Sequence, residues 1–431
     1  MDRSLTAVLI GTFTLRFSTG LTGAMLSLYL ASLATAGHPV DAIVVGVFSA
    51  TFYLAELVLS PIFGILSDRQ GHHRVMLYGP VFGAVAVILT GLTTNLFILG
   101  GTRWLEGAST AASVPSILGF IALATAGSEV KRGKASARFE GATLAGLGIG
   151  FIIAPKLFEA IGPTAFFLNA IVYGVSFLIY RFVRDPEGER EALAMEHAGF
   201  RRYGTLIRHS HVWLLAPTWI AINASIGLWF SQSLFQLRKA DPRFPDQFFQ
   251  RGFDATEITL AAIAIAIVFA AGLWWWGDRF DRFRRTTIIG FGVGGGIALV
   301  IAGLTVNHAA TSGGSGSILV VILGALVAAA GLFVLAGATP AAVGLLADVS
   351  EAFPADRGAV MGLYSVFLAV GQIGGSLIGG FAAQWRGMDG LFVATGVLLV
   401  LALLPLSQLR RTEHYVGGPA TPAVLGNEEP G

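Results

Sequence analysis

The sequence predicts an all-α polytopic membrane protein with twelve transmembrane helices, arranged as two six-helix bundles related by a pseudo-two-fold axis. Three observations predict it. Of 431 residues, 54% are hydrophobic and only 13% are charged, about half the charge of an ordinary soluble domain. The apolar residues gather into long runs separated by short charged or Gly/Pro-rich links. One such link, from Gly64 through Ser67, Asp68, Arg69, Gly71, His72 and His73 to Arg74, has a weaker copy 213 positions later, from Gly277 through Arg279, Asp281, Arg282 and Arg284 to Arg285.

A helix that crosses a bilayer needs about 20 mainly apolar residues. Breaking the runs at their charged or Gly/Pro-rich links gives spans over 5–34, 42–66, 74–94, 97–127, 137–161, 164–183, 211–236, 257–277, 286–306, 317–347, 357–385 and 389–408. The first follows Arg3 and runs from about Leu5 to Leu33, too long for a signal-peptide core and without a clear cleavage site. The longest polar stretch, Arg184 to Ser210, divides the spans six and six. The domain reading is therefore an amino-terminal bundle over 1–183, a cytoplasmic linker over 184–210, a carboxyl-terminal bundle over 211–410 and a disordered tail over 411–431.

Lys and Arg fix the expected orientation. With the amino terminus inside, inner segments hold twenty of them and outer segments five, while Arg16, Arg103 and Lys156 fall within spans. Both termini are expected in the cytoplasm. A second correspondence between halves supports duplication: Arg132-Gly133 before span five matches Arg357-Gly358 before span eleven, and Gly146 and Gly150 then match Gly371 and Gly375. The link between spans seven and eight, Arg238 to Glu257, is unusual in mixing charge with Phe244, Phe248, Phe249 and Phe253. It reads as an amphipathic piece lying on the membrane surface or as a lid over the outer mouth, the first being favoured.

Composition also excludes several classes. The chain has no cysteine, which removes disulfides, zinc–thiolate sites and thiol catalysis. A net charge of +2 is too small and too dispersed for a nucleic-acid binder. No nucleophile–base or metal-ligand spacing points to an enzyme, and His308 and His209 stand alone at loop positions.

Twelve spans, a central loop and the Gly-x-x-x-Asp-Arg-x-Gly link between spans two and three together resemble the major facilitator superfamily over nearly the whole chain up to Arg411. The link matches the superfamily's signature at Gly64, Asp68, Arg69 and Gly71, with His72 and His73 in place of the usual basic pair. The copy keeps Gly277, Asp281, Arg282 and Arg285 but has Arg284 where the second glycine belongs. The resemblance implies the fold of that superfamily, in which one half rocks against the other around a midplane site. It also implies a cytoplasmic gate. Asp68, at a helix end, would cap the positive amino terminus of span eleven near Arg357-Gly358, and Arg69 or Arg74 would pair with Glu129. For Arg74 the plain alternative, a positive-inside charge, is preferred.

Charges inside the bilayer are the best functional clue, since each costs on the order of 3 kcal/mol even on lenient insertion scales. The first half offers Arg16, Glu56, Arg103 and Glu106. Arg103 and Glu106, three apart, share a helix face with Thr110, and Arg16 is flanked on its own face by Thr12 and Thr19. Span four resembles the family's second signature, with Glu106 where glutamine is usual. In proton-coupled members that arginine is implicated in proton transfer, which would make Glu106 or Glu56 the proton carrier; the alternative is a permanent Arg103–Glu106 pair that stiffens the bundle. Gly146, Gly148, Gly150, Ala154 and Pro155 in span five are partly like the antiporter signature, or are ordinary helix-packing glycines with a kink. Lys156 and Glu159 are expected to snorkel or pair.

The second half has almost no ionisable residue at depth, with Asn223 and Gln372 its main polar candidates, and the Trp274-Trp275-Trp276 run reads as an interfacial anchor. One charged and one apolar wall suit a small amphipathic molecule. The sequence therefore favours a secondary transporter, a proton-coupled exporter working by alternating access, acting as a monomer in the cell membrane. No cofactor is expected; the proton gradient would drive it, and its partners would be the bilayer, the substrate and protons, with no nucleic acid. The rivals are a lipid or lysolipid flippase of the same fold, uptake of a small organic anion, and a membrane assembly factor.

Overall fold

The computed structural model describes residues 3–125, 128–184, 212–277, 279, 282–312, 315–351 and 357–416. Nine stretches among them are long and apolar enough to cross a membrane. Two of these, Lys134–Arg181 and Ser365–Arg410, carry a pair of spans each, and the helix Val212–Arg238 completes the twelve. Spans one to six are Arg3–Thr35, Ala42–Gln70, a third helix broken at Leu77 into His72–Met76 and Tyr78–Leu92, Leu96–Ala124, Glu129–Ile161 and Ala165–Arg181. Span seven is Val212–Arg238, eight Ala255–Gly277 and nine Arg285–Ala309. Span ten is broken at residues 336–337 into Ser315–Leu335 and Ala338–Glu351, and spans eleven and twelve lie within Arg357–Val416. The last pair is separated only by Arg386 (φ −138°, ψ 25°) and Gly387 (φ 56°, ψ −133°).

Several boundaries differ from expectation for local reasons. Span two continues to Gln70, so the charged link to span three is helix except at Gly71, whose φ of 97° stops it. That backbone is open to glycine and costly for other residues. Span five starts at Glu129, eight residues early, because the Ser128 side chain accepts from Lys131 N and caps it. The carboxyl-terminal helix runs to Val416, past Arg411 where the tail was expected to begin. Residues 185–211 and 417–431 lie outside the described residues, so the expected linker and most of the expected tail go with them.

The two halves repeat one helix crossing. A Cβ on Gly146 of span five would sit 2.6 Å from Phe13 O and 2.9 Å from Arg16 Cβ on span one; one on Gly150 would sit 2.8 Å from Leu21 N. In the second half a Cβ on Gly371 of span eleven would sit 2.6 Å from Asn223 Cβ on span seven, and Gly375 would press on Ala224. The contact is reciprocal, since Gly20 of span one faces Leu147 and Gly227 of span seven faces Gln372. Small residues let the backbones close up where lipid tails give no hydrophobic drive to associate. Polar side chains tie the first half further: Asn169 Nδ2 on span six donates to Thr22 Oγ1 at 2.7 Å and Ser18 O at 3.1 Å, and Ser109 Oγ donates to Gly79 O at 2.6 Å.

Each half has its own core, and the cores exchange residues at one end. Leu234, Phe235 and Ile258 of the second half join the cluster built on Val8, Met25, Tyr29 and Phe166, while Ala42 joins the second-half cluster around Trp219, Leu228 and Phe392. At the same end a Cβ on Gly380 would lie 2.9 Å from Ala42 O and 3.1 Å from Ile43 Cα. The halves are thus packed together at the face opposite Gly71, which also carries the link between spans seven and eight.

Candidate functional site

Arg103 and Glu106 form an ion pair within span four, with both side chains buried in the bundle: Arg103 is 8% exposed and Glu106 3%. Helix register brings them together, because residues three apart lie on one face. Span two supplies the wall beside them. Gly107 lets the helices touch, for a Cβ there would meet Ala55 Cβ at 2.6 Å and Glu56 N at 3.2 Å. The Arg103 guanidinium lies 4.8 Å above the Phe52 ring, a desolvated cation against an aromatic face. One oxygen of Glu106 faces the arginine. The other, Oε1, is buried with no hydrogen-bond partner among the described residues.

Glu56 and Arg16 stand next to this pair, both half-buried. Arg16 is within electrostatic reach of Glu56 on span two, Glu140 on span five and Tyr53. Tyr53 feels Glu56, Arg103 and Arg16 at once. The four charges expected from the sequence therefore share one neighbourhood, with Arg16 on span one opposite the span two–span four seam. Tyr53 and Glu140 were missed; a tyrosine one helical turn before Glu56 was the available signal. Asn223 and Gln372 do not join the group in any described contact. Asn223 Nδ2 donates to Trp219 O at 2.9 Å in its own helix, and Gln372 lies against Gly227 with Oε1 buried and unpartnered. They meet each other's helices at the glycine crossing instead.

At the gate motif, Asp68, Arg69 and Arg74 are exposed. The side chains of Glu129 and Arg357, and Asp281, lie outside the described set. A Cβ on Gly64 would have Pro115 Cβ as its nearest described neighbour, at 3.9 Å. The two histidines that stand at the usual basic positions are held inward: His72 is buried, with Nδ1 3.1 Å from Ser67 Oγ and its ring against Gly119, and His73 Nε2 is 2.9 Å from Tyr180 O at the end of span six. In the copy, Gly277 ends span eight, Arg282 is exposed, and Arg285 begins span nine with Nε 3.1 Å from where a Cβ on Gly344 would stand.

Gly146 and Gly150 pack span five on span one, and Pro155 is buried within span five. Lys156 and Glu159 pair at 2.8 Å, both side chains partly exposed. The tryptophan run splits: Trp274 is exposed, Trp275 carries Arg279 3.7 Å above its ring, and Trp276 is buried against Gly337. His308 is not isolated. It sits in the last turn of span nine with Nε2 2.9 Å from Asp389 Oδ2, and Asp389 also accepts from Asn307 Nδ2 at 2.8 Å. His209 lies outside the described residues. Among the described residues no group of His, Asp and Glu side chains is placed to hold a metal.

Residues 8–325 and 242–424 match the sequence profile of the Major Facilitator Superfamily. The chain is 26% identical over 349 residues to Multidrug resistance protein 1 of Bacillus subtilis (strain 168), covering 78% of this chain and 79% of that one. It is 23% identical over 384 residues to Multidrug resistance protein MdtG of Proteus mirabilis (strain HI4320), covering 88% and 89%. Its fold matches the crystal structure of nucleoside transporter NupG with a TM-score of 0.68 at 14% identity, over 95% of this chain and 100% of that one. With twelve spans, a repeated glycine crossing and profile matches that together run nearly end to end, the chain belongs to the Major Facilitator Superfamily and is a multi-pass membrane transporter.

Proposed function

We propose that this transporter exports small amphipathic compounds in exchange for protons, by alternating access of a site lined on one side by Arg16, Glu56, Arg103 and Glu106. One observation carries the reading. Glu106 is a buried carboxylate with one oxygen held by Arg103 and the other, Oε1, without a donor. A buried carboxylate oxygen left without a donor is costly, and taking up a proton lessens that cost by neutralising the group. Burial and a neighbouring arginine act in opposite senses on a carboxyl's proton affinity, and their balance is what makes exchange possible. Glu56, half-buried beside Arg16, is the second carboxyl through which substrate and proton would compete.

The relatives support the export direction by name only: both are multidrug resistance proteins. The second half supplies an apolar, aromatic wall, in which Trp229 Nε1 bonds Thr395 at 2.9 Å and its ring lies 5.0 Å from Phe392. The lysine and arginine distribution supports a cytoplasmic position for both termini. The test is flux of a fluorescent amphiphile in proteoliposomes under an imposed pH gradient. Wild-type flux follows the gradient; Glu106→Gln and Glu56→Gln lose the gradient dependence, by tenfold or more, while keeping gradient-free exchange. Flux that ignores both the gradient and the two substitutions overturns the reading.

A further inference from the structure

The link between spans seven and eight is folded, not splayed on a surface. Its ends are closed by Phe253 N donating to Leu237 O at 2.7 Å and Asp241 N donating to Gln250 O at 3.0 Å. Gly252 turns it at a φ of 80°, and the Arg251 guanidinium lies 4.4 Å from both the Phe248 and Phe253 rings. Arg243 clamps Asp241 with Nη2 to Oδ2 at 2.6 Å. This strap is then bolted to the second half. Phe249 N donates to Asn307 Oδ1 at 2.9 Å, Gln247 Nε2 donates to Arg386 O at 3.0 Å, and Asp389 N donates back to Gln247 Oε1 at 3.2 Å. The Asp389 carboxylate holds Asn307 and His308 together beneath it.

A ladder of glutamines joins the strap to span seven, and span seven to the first half. Gln250 Nε2 donates to Gln236 Oε1 at 2.9 Å, Gln236 approaches Gln232 Oε1 at 3.5 Å, and Gln232 Nε2 donates to Ala42 O at 2.9 Å. Ala42 begins span two, in the other half. Gln232, Gln236, Gln247, Gln250 and Asp389 are all buried. Two first-half charges also face the strap: Asp41 is within reach of Arg243, and Lys156 within reach of Asp254.

We propose that residues 239–254 are the gate of this face: a prefolded strap carried by the second half, anchored by Asp389 and tied through Gln236 and Gln232 of span seven to the first half at Ala42, which lifts as one piece before the site can open to that side. Parting Gln250 from Gln236 would leave further buried amide groups unsatisfied, which favours the seated strap. The break at Gly387 is part of the device. Its φ of 56° with ψ −133° is backbone that glycine alone adopts readily, and a Cβ there would stand 2.7 Å from Gln250 Nε2, 2.9 Å from Phe244 and 3.0 Å from Gln247 Oε1, so a side chain would push on the strap as well as strain the turn. The proposal rests on the rocking motion given above, but its test uses neither substrate nor proton gradient and so fails or succeeds apart from the export reading.

The chain has no cysteine, so single thiols can be read without background. Gly23 of span one, two turns from Arg16 toward the strap, has open space where a Cβ would stand. Gly23→Cys in proteoliposomes is labelled with a membrane-impermeant thiol reagent from the strap face. Labelling is expected to be slow in this background and at least tenfold faster when Gly387→Ala or Asp389→Ala is added. In a separate variant, Asp41→Cys with Arg243→Cys is bridged by a cleavable bifunctional thiol reagent. Bridging is expected to stop transport and reductant to restore it, while each single variant treated alike stays active. Gly23→Cys labelling indifferent to both strap variants, or transport that continues at full rate through the bridge, overturns the proposal. Tryptophan fluorescence and gel-filtration profiles matching wild type keep a misfolded variant from counting for either side.

Discussion

Asp241 shows how much one side chain can hold in place. Hydrogen bonds from the Arg243 guanidinium, against a smaller opposing effect of burial, keep its carboxyl below the usual aspartate range. Because the folded value is the lower one, the stabilisation is fully present above the ordinary aspartate pKa of about 4 and is lost as pH falls through the lowered value. Cleavage of the Phe-rich strap by an acid protease should therefore stay slow from pH 5 to about 4 and accelerate below. Asp241→Asn should be cleaved faster throughout and lose that step; identical profiles for the two would remove Asp241 from the account. The same scale explains the two histidines of the gate motif. Their bonds, to Ser67 and to a carbonyl 107 residues away, are invisible in a linear motif that treats them as substitutes for lysine.

Helix pairs are where the sequence was most legible. Arg103–Glu106 and Lys156–Glu159 were readable because a three-residue spacing dictates contact whatever surrounds the helix, and both pairs are present. The twelve runs were readable because each must be apolar over about 20 residues to cross. His308–Asp389 was not, since 81 residues and three helix reversals separate the partners; only packing brings the end of span nine to the break between eleven and twelve. The preference for a surface-lying strap failed for a related reason. An amphipathic segment has one apolar face whether that face meets lipid or protein, and its own residues do not say which. The glycine crossings give the sharpest test of the duplicated element. Gly150→Leu and Gly375→Leu force a side chain onto Leu21 N and Ala224 respectively, and overpacking of that kind costs about 1–3 kcal/mol. Both should lower the thermal stability of the purified protein to a similar degree. Gly148→Leu and Gly374→Leu, where a Cβ meets nothing within 4 Å, should leave it unchanged; equal losses at all four positions would show that the crossing is not what the glycines serve.

Across the whole molecule the halves have kept their scaffold and divided their chemistry. Both retain the same crossing, while the buried pair Arg103–Glu106 and the half-buried Arg16 and Glu56 lie in the first half and the strap with its anchor belongs to the second. The expected orientation is testable with two thiols. Gln70→Cys, beside the Gly71 break, should react with an impermeant reagent only from the cytoplasm, and Ala310→Cys, at the end of span nine, only from outside. Reaction of both from one side would contradict the twelve-span path, and an exchange of sides would reverse the topology. The strap's position has a further consequence if that orientation holds. A folded segment of about sixteen residues, held by its own hydrogen bonds and presenting exposed Arg251 and Pro245, is a conformational epitope on the outer surface. An antibody fragment raised against its seated form would lock the carrier without entering the cell or competing with its cargo, so inhibition would be indifferent to which compound is being carried.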